Sequence, residues 1–320
     1  MMNWDEKFKM KKLAFLDWQG TSLRVAGLEM VVFDLDGVLV DINSSWQMVH
    51  EAFGADNEVN FQKHLRGQID FKEFMRSDIA LWGHSHISHI KKVLDKAPLM
   101  GGTVEALKTL KEAGYKTAII SSGISLLAER VKDELGIDYC FSNRLLTDED
   151  GMLTGEGEEF VRLLNKDKVL DDLVSMAGTS KDKCVVVGDS RYDVPLFRDA
   201  GLSVAFNSDD DVAKAAADLV IDKKDLTEIL PWLVNNGRTS MAVIIMTWDD
   251  EKVAKSVVKA VAPDNSKLPA GLLIKTVRAG NTAVTKIVNI KGVETLLATI
   301  DDLFSCSQVA EKVVDVAKNL

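Results

Sequence analysis

A series of short apolar runs, each stopped by polar residues or glycine and followed by helical spacing, constrains this chain more than any other feature. The first, Met30-Val31-Val32-Phe33, is β-branched and apolar on both faces and ends at acidic residues and Gly37. A strand with no polar face is buried on both sides, unlike the alternating strands of a half-solvated sheet. Residues 116–121, 139–142, 184–187, 203–206 and 219–221 repeat the pattern. Amphipathic helices are expected between them, over 103–113, 126–135 and 166–177, with Gly114 as a stop. Strands alternating with helices predict a Rossmann-like parallel α/β sheet covered on both faces. Asp150-Gly151 between two β-type runs predicts a hairpin at its edge.

Two interruptions define the domain organisation. Residues 46–96 change to helical spacing, broken near Gly67 and Gly83, and read as a helical insert within the sheet domain. Asn235-Asn236-Gly237-Arg238-Thr239 reads as a linker over 235–239, after which the order of elements becomes β-α-β-β-α. A strand is expected at 241–247, a helix at 249–261, and two strands at 272–278 and 283–290 around the hairpin turn Arg278-Ala279-Gly280-Asn281-Thr282. A long helix starts near Val293. The expected organisation is an N-terminal extension (1–27), an α/β domain (28–234) and a small α+β domain (240–320).

Charge narrows the function classes. The net charge of −10 falls almost wholly on the first 239 residues, because ten Lys/Arg against nine Asp/Glu leave residues 240–320 at +1. Strong binding to nucleic acid requires clustered Lys and Arg, so direct electrostatic capture of nucleic acid is not expected. No apolar run is long enough to span a bilayer. The basic start (Lys7, Lys9, Lys11, Lys12) precedes a short apolar patch broken by Asp17, without a cleavage pattern. Cys140, Cys184 and Cys306 have no metal-ligand spacing and read as small hydrophobes in a reducing compartment. A cytoplasmic protein is the expectation.

Asp34-Leu35-Asp36-Gly37 closes the first strand. Residues two apart in extended chain project to the same side, so both carboxylates can face one reacting group at the carboxyl end of the sheet. Such a pair can hold a hard cation or divide labour as nucleophile and proton donor. Ser121-Ser122-Gly123 ends the second strand before a helix, offering a hydroxyl and backbone N–H groups to a phosphate. Lys166 opens a later helix and can neutralise a phosphate or a carboxylate. Gly188-Asp189-Ser190-Arg191-Tyr192-Asp193 ends another strand with two carboxylates four residues apart, which suits a Mg²⁺ ligand and a partner behind it. His84, His86 and His89 do not share one helical face and are expected in a solvated loop.

In this order, the pieces resemble the four motifs of the haloacid dehalogenase superfamily. Residues 28–230 look most like its phosphoserine-phosphatase-like branch, with Asn143-Arg144-Leu145 and Asp225-Leu226-Thr227-Glu228-Ile229-Leu230 adding to the likeness. The resemblance implies the haloacid dehalogenase fold, with the helical insert (about 41–98) as its cap, and a Mg²⁺-dependent phosphomonoester hydrolase acting on a small phosphorylated metabolite. Asp34 would form an aspartyl-phosphate, and Asp36 would protonate the leaving group and then activate water. Ser121, Ser122 and Gly123 would hold the phosphoryl oxygens, and Lys166 would balance charge. Asp34, Asp36 and Asp189 would hold the metal, with Asp193 behind. The cap glutamate and arginine with which phosphoserine phosphatases read serine fall on Asn43 and Asp78 here, and Arg76 lies near enough in sequence to substitute. An asparagine common in the fourth motif is Tyr192.

The C-terminal segment resembles the small Pcc/CTAG-type subunit of the KEOPS complex, which makes threonylcarbamoyladenosine in tRNA. The likeness rests on Ala262-Pro263-Asp264-Asn265, Leu268-Pro269-Ala270-Gly271-Leu272 and the run from Thr295 to Leu303. It implies homodimerisation through this domain and docking to the ATP-binding KEOPS catalytic subunit. A scaffold with weak phosphatase activity and a phosphotransferase acting on an acceptor other than water are the competing readings.

Overall fold

The computed structural model describes residues 12–16, 27–234, 240–261, 268–269 and 271–318. The linker at 235–239, the run 262–265, Ala270, Trp4 and Trp18 lie outside the described residues. The chain divides into two compact units, one spanning Gly27–Leu230 and the other combining the N-terminal segment with everything from Pro231 onward.

The larger unit is built on a seven-stranded sheet. Strands β2 (Met30–Phe33), β3 (Lys116–Ile124), β4 (Tyr139–Thr147), β6 (Cys184–Gly188), β7 (Leu202–Phe206) and β8 (Leu219–Ile221) run parallel, and β5 (Leu153–Glu158) closes one edge antiparallel to β4. Their spatial order is β5-β4-β3-β2-β6-β7-β8, which puts the Asp34 strand in the centre. All residues of β2, β6 and β7 are buried, as their unbroken apolar sequences require. On one face, Val169, Leu170, Leu173 and Ala177 of helix α7 (Asp167–Ala177) pack on Met30, Val32, Ala118, Ile120 and Val186. Helices α5 (Thr103–Glu112) and α6 (Ser125–Leu135) bury Leu107, Leu110, Leu127 and Val131 in the same unit. Two short helices, α8 (Val194–Phe197) and α9 (Asp211–Ala216), complete it, and α10 (Leu230–Leu233) begins at the boundary between the two units. The hairpin at Asp150-Gly151 forms with Gly151 in the left-handed region at φ +79°.

The insert between β2 and α5 is the expected helical cap. It comprises α1 (Ser45–Phe53), α2 (Glu58–Leu65), α3 (Phe71–Ala80) and α4 (Ile87–Leu94). Each boundary has a local cause. The Ser44 side chain accepts from the Gln47 amide, Asp70 accepts from Glu73, and Gly54 ends α1 in the left-handed conformation. His86 is half-buried and caps α4 by accepting from the Ser88 amide, while His84 and His89 are exposed.

The smaller unit holds a four-stranded antiparallel sheet, with α11 (Glu251–Val261) and α12 (Val293–Lys318). Strands β9 (Ser240–Thr247), β10 (Leu272–Ala279) and β11 (Thr282–Asn289) follow the expected order, and Gly280-Asn281 forms a two-residue turn. Val253, Ala254 and Val257 of α11, and Leu296, Ile300 and Phe304 of α12, pack with Ala242, Ile244 and Ile287 of the sheet. The fourth strand was not anticipated. β1 (Lys12–Leu16), from what the sequence suggested was a free extension, pairs antiparallel with β9 from Lys12↔Ile245 to Leu16↔Met241. The sheet order is β1-β9-β11-β10, so part of the extension belongs to the small unit. No helix among the described residues is long and apolar enough to cross a membrane.

Candidate active site

The parallel strands deliver the expected residues to one place. Asp34 follows β2, Ser121 to Gly123 lie at the exit of β3, Lys166 precedes α7, and Asp189 follows β6. All of them line a single cavity of about 530 Å³ whose opposite wall is the cap.

At its floor is a buried chain of charges. Lys166 is 1 % exposed, and its Nζ lies 2.6 Å from Asp34 Oδ2 and 2.8 Å from Asp193 Oδ1. Burial alone would strip the lysine of its proton, but the Asp193 and Asp34 carboxylates outweigh it and hold the ammonium above the ordinary lysine value. A solvated lysine would do none of this. Asp193 is fully committed, because its Oδ2 accepts from the amides of Asp189 and Ser190 and from the Ser190 hydroxyl. Asp34 Oδ1 accepts from the Leu35 amide at 2.7 Å.

Asp36 is held differently. Its Oδ2 accepts from the Ser45 amide at 2.7 Å and the Ser45 hydroxyl at 2.8 Å, which places the carboxylate at the N-terminus of α1. Its Oδ1 is buried with no hydrogen-bond partner. Burial raises the acid above the ordinary carboxylate range against the opposing pull of Ser45. This is the state a proton donor needs.

Two glycines allow the crowding. Gly37 sits at φ +77°, and a Cβ there would lie 2.1 Å from Asp189 Oδ2. At Gly188 a Cβ would lie 2.4 Å from Asp193 Cγ. The chain therefore needs glycine at both positions for its carboxylates to converge.

Oxygens of Asp34, Asp189 and Asp193 come within 4.8 Å of one another. Burial, reinforced by the neighbouring carboxylates and only partly opposed by Lys166, pushes Asp34 up to about 7 and Asp189 to about 8. An all-oxygen set of carboxylates this costly to ionise fits a hard divalent cation such as Mg²⁺. Asp36, which the resemblance adds to the metal set, has its carboxylate Oδ2 on Ser45 and lines the same cavity. The third carboxylate of the cluster is Asp193.

A linked prediction follows. Both groups bind protons more tightly folded than unfolded, so their contribution to stability is complete below about pH 4 and is lost as pH rises toward 8. Mg²⁺ competes with those protons. The increase in melting temperature produced by Mg²⁺ over chelated protein is therefore expected to be larger at pH 8 than at pH 5. An increase independent of pH would contradict these carboxylates as the ligands.

The phosphate-side loop is fastened by residues whose role the sequence did not reveal. Ser121 Oγ accepts from the Gly123 amide at 3.0 Å. The Ser122 carbonyl accepts from Trp46 Nε1 at 3.1 Å and from Asn143 Nδ2 at 2.9 Å. Asn143 is fully buried and also binds the main chain at Phe160 and Val161. It was part of a recognisable motif but had no assigned job. Ser45 was missed altogether, because nothing local marks a serine that folds back onto a carboxylate nine residues earlier.

The substrate-side positions divide. Asn43 and Asp78 line the cavity. Arg76 does not substitute for the missing arginine. Its side chain is 51 % exposed and forks onto Glu156 of β5, with Nε 2.8 Å from Oε1 and a terminal nitrogen 2.9 Å from Oε2. Two residues along one helix give opposite outcomes, Arg76 turned to solvent and Asp78 buried. Tyr192 also lines the cavity.

The sequence model of the haloacid dehalogenase-like hydrolases matches residues 28–201, and this chain belongs to that family. Among curated relatives, the phosphoserine phosphatase of Methanocaldococcus jannaschii is 32% identical over 208 residues, covering 64% of this chain and 97% of that protein. The phosphoserine phosphatase of Archaeoglobus fulgidus is 34% identical over 200 residues, 62% of this chain and 57% of that protein. A solved phospho-aspartyl intermediate analogue of phosphoserine phosphatase superposes with a TM-score of 0.56 at 30% identity, covering 63% of this chain and 97% of that one. Within the family the chain is a phosphatase of the phosphoserine-phosphatase type.

Proposed function

We propose that this protein hydrolyses a small phosphomonoester in two steps through a phosphorylated Asp34, with Mg²⁺ as cofactor. The observation that carries this is the buried Asp34–Lys166–Asp193 chain in the same cavity as Asp36 and Ser121. An oxygen of Asp34 attacks phosphorus, the P–O bond to the alcohol breaks, and Asp36 gives its proton to the leaving oxygen. Water then attacks the same phosphorus, losing a proton to Asp36, and the bond to Asp34 breaks. Lys166, Ser121 Oγ and the loop amides are placed to counter charge on the phosphoryl oxygens. A Mg²⁺ ion held by Asp34 and Asp189 would add charge neutralisation and favour ionised Asp34. The test is phosphate release from small monoesters, which should require Mg²⁺ and stop on chelation.

For the smaller unit the proposal is self-association and docking to a KEOPS-type catalytic subunit, carried by the sequence resemblance. Exposed Val309 and Val313, four residues apart and so on one face of α12, support an apolar contact surface. Light scattering on the full chain should give twice the monomer mass, and the catalytic subunit should be retained by the immobilised chain. A monomer that retains nothing would end both proposals.

A further inference from the structure

The cap wall of the cavity has charge of one sign. Among its lining residues, Lys166 is the one lysine or arginine, and it is held between carboxylates at the floor. The cap supplies Glu51, Asp56, Glu58 and Asp78. Arg76, the cation nearest in sequence, is turned out to Glu156.

His50 is buried beside Asp78 on this wall. Its Nδ1 accepts from the indole N–H of Trp82 at 3.0 Å, and an indole N–H can only donate. Nε2 faces Asp78 Oδ2 at 3.4 Å, and Asn57 Nδ2 donates to the same oxygen at 3.2 Å. Asp78 is 1 % exposed, yet its Oδ1 is buried without a hydrogen-bond partner. Burial raises its carboxyl above the ordinary range, a cost that a cation beside it would relieve. Aromatic faces share the wall. Trp46 stacks on Trp82 with centroids 5.5 Å apart, and Phe61 and Phe74 line the cavity beside it.

Carboxylates combined with aromatic faces form a receptor for an ammonium group. The same wall repels a substrate carboxylate, which would be desolvated against like charge with no arginine to meet it. We propose that the cap selects phosphomonoesters of amino alcohols, whose leaving group carries a cationic nitrogen and no carboxylate. This rests on the phosphatase reading above and departs from phosphoserine, which brings both charges.

The experiment compares kcat/KM for O-phosphoethanolamine, O-phosphoserine and p-nitrophenyl phosphate with the full chain and Mg²⁺. O-phosphoethanolamine is expected to exceed O-phosphoserine by about tenfold or more, since like charges held close repel strongly. Asp78→Asn should lower the ratio of O-phosphoethanolamine to p-nitrophenyl phosphate about tenfold. Should that buried change prevent folding, Asn43→Arg at the exposed part of the wall tests the same idea by raising O-phosphoserine relative to O-phosphoethanolamine. Equal or better turnover of O-phosphoserine by the wild type overturns the selectivity while leaving the phosphatase intact. A ratio unmoved in both variants does the same. No turnover of any of the three esters overturns both proposals.

Discussion

Asp34→Asn is expected to abolish phosphate release, by about 10⁴-fold or more, without unfolding the protein. The amide keeps the shape of the carboxylate and can still accept from the Leu35 amide through its oxygen, so the local fold persists. Its nitrogen loses the charge that meets Lys166 at 2.6 Å and cannot serve as the nucleophile. Lys166 retains Asp193, which limits the effect on stability. Phosphate release and a circular-dichroism melt on the same sample separate the two effects. A folded variant within tenfold of wild-type turnover would exclude Asp34 as the nucleophile.

Lys166→Met is expected to damage both activity and stability. Methionine fills a similar volume but leaves Asp34 and Asp193 facing each other without a cation, in a site where Lys166 is 1 % exposed. Removing one partner from a buried charged pair costs about 3–5 kcal/mol. In a domain of this size that is a fall in melting temperature on the order of 10 °C. The carboxylates can escape part of the cost by taking up protons, so the fall should be smaller at pH 5 than at pH 8. Turnover should drop by about 10²-fold or more, because a preorganised charge facing the phosphoryl oxygens is lost. An unchanged melting temperature at pH 8 would mean that the lysine is not the linchpin of the buried chain.

Much of this was legible because it is local. The strand Met30–Phe33 declares itself by having no polar face, and the residues that follow it, Asp34 to Gly37, are a strand exit by necessity. Asp189 and Asp193 lie on one turn, so their joint role could be read from spacing. Lys166 shows the limit. A single lysine at a helix start carries no local sign of burial, and the motif order alone distinguished it from a surface residue.

What was hidden depends on contacts distant in sequence. β1 is a strand because β9, far along the chain, offers it an edge. A run of five residues, Lys12-Leu13-Ala14-Phe15-Leu16, has no intrinsic signal for that pairing, since edge positions reveal their partner only in the folded sheet. Asp78 and Arg76 are two residues apart on α3, yet one is buried against His50 and the other forks onto Glu156. Alignment position could not show which would face the cavity; the rotation of the helix in the cap decides it. His50 drew no notice as one histidine in a helix, although it accepts from Trp82 and faces Asp78 in the cap.

Covalent phosphorylation of Asp34 is the step on which the proposed hydrolysis depends. The direct measurement is acid quenching during turnover of a ³²P-labelled monoester with Mg²⁺, followed by peptide mapping of the retained label. Protein-bound label that hydroxylamine releases, as expected of an acyl phosphate, should be confined to the peptide containing Asp34 and absent from Asp34→Asn. Sustained turnover with no protein-bound label, or with label on another residue, would contradict it.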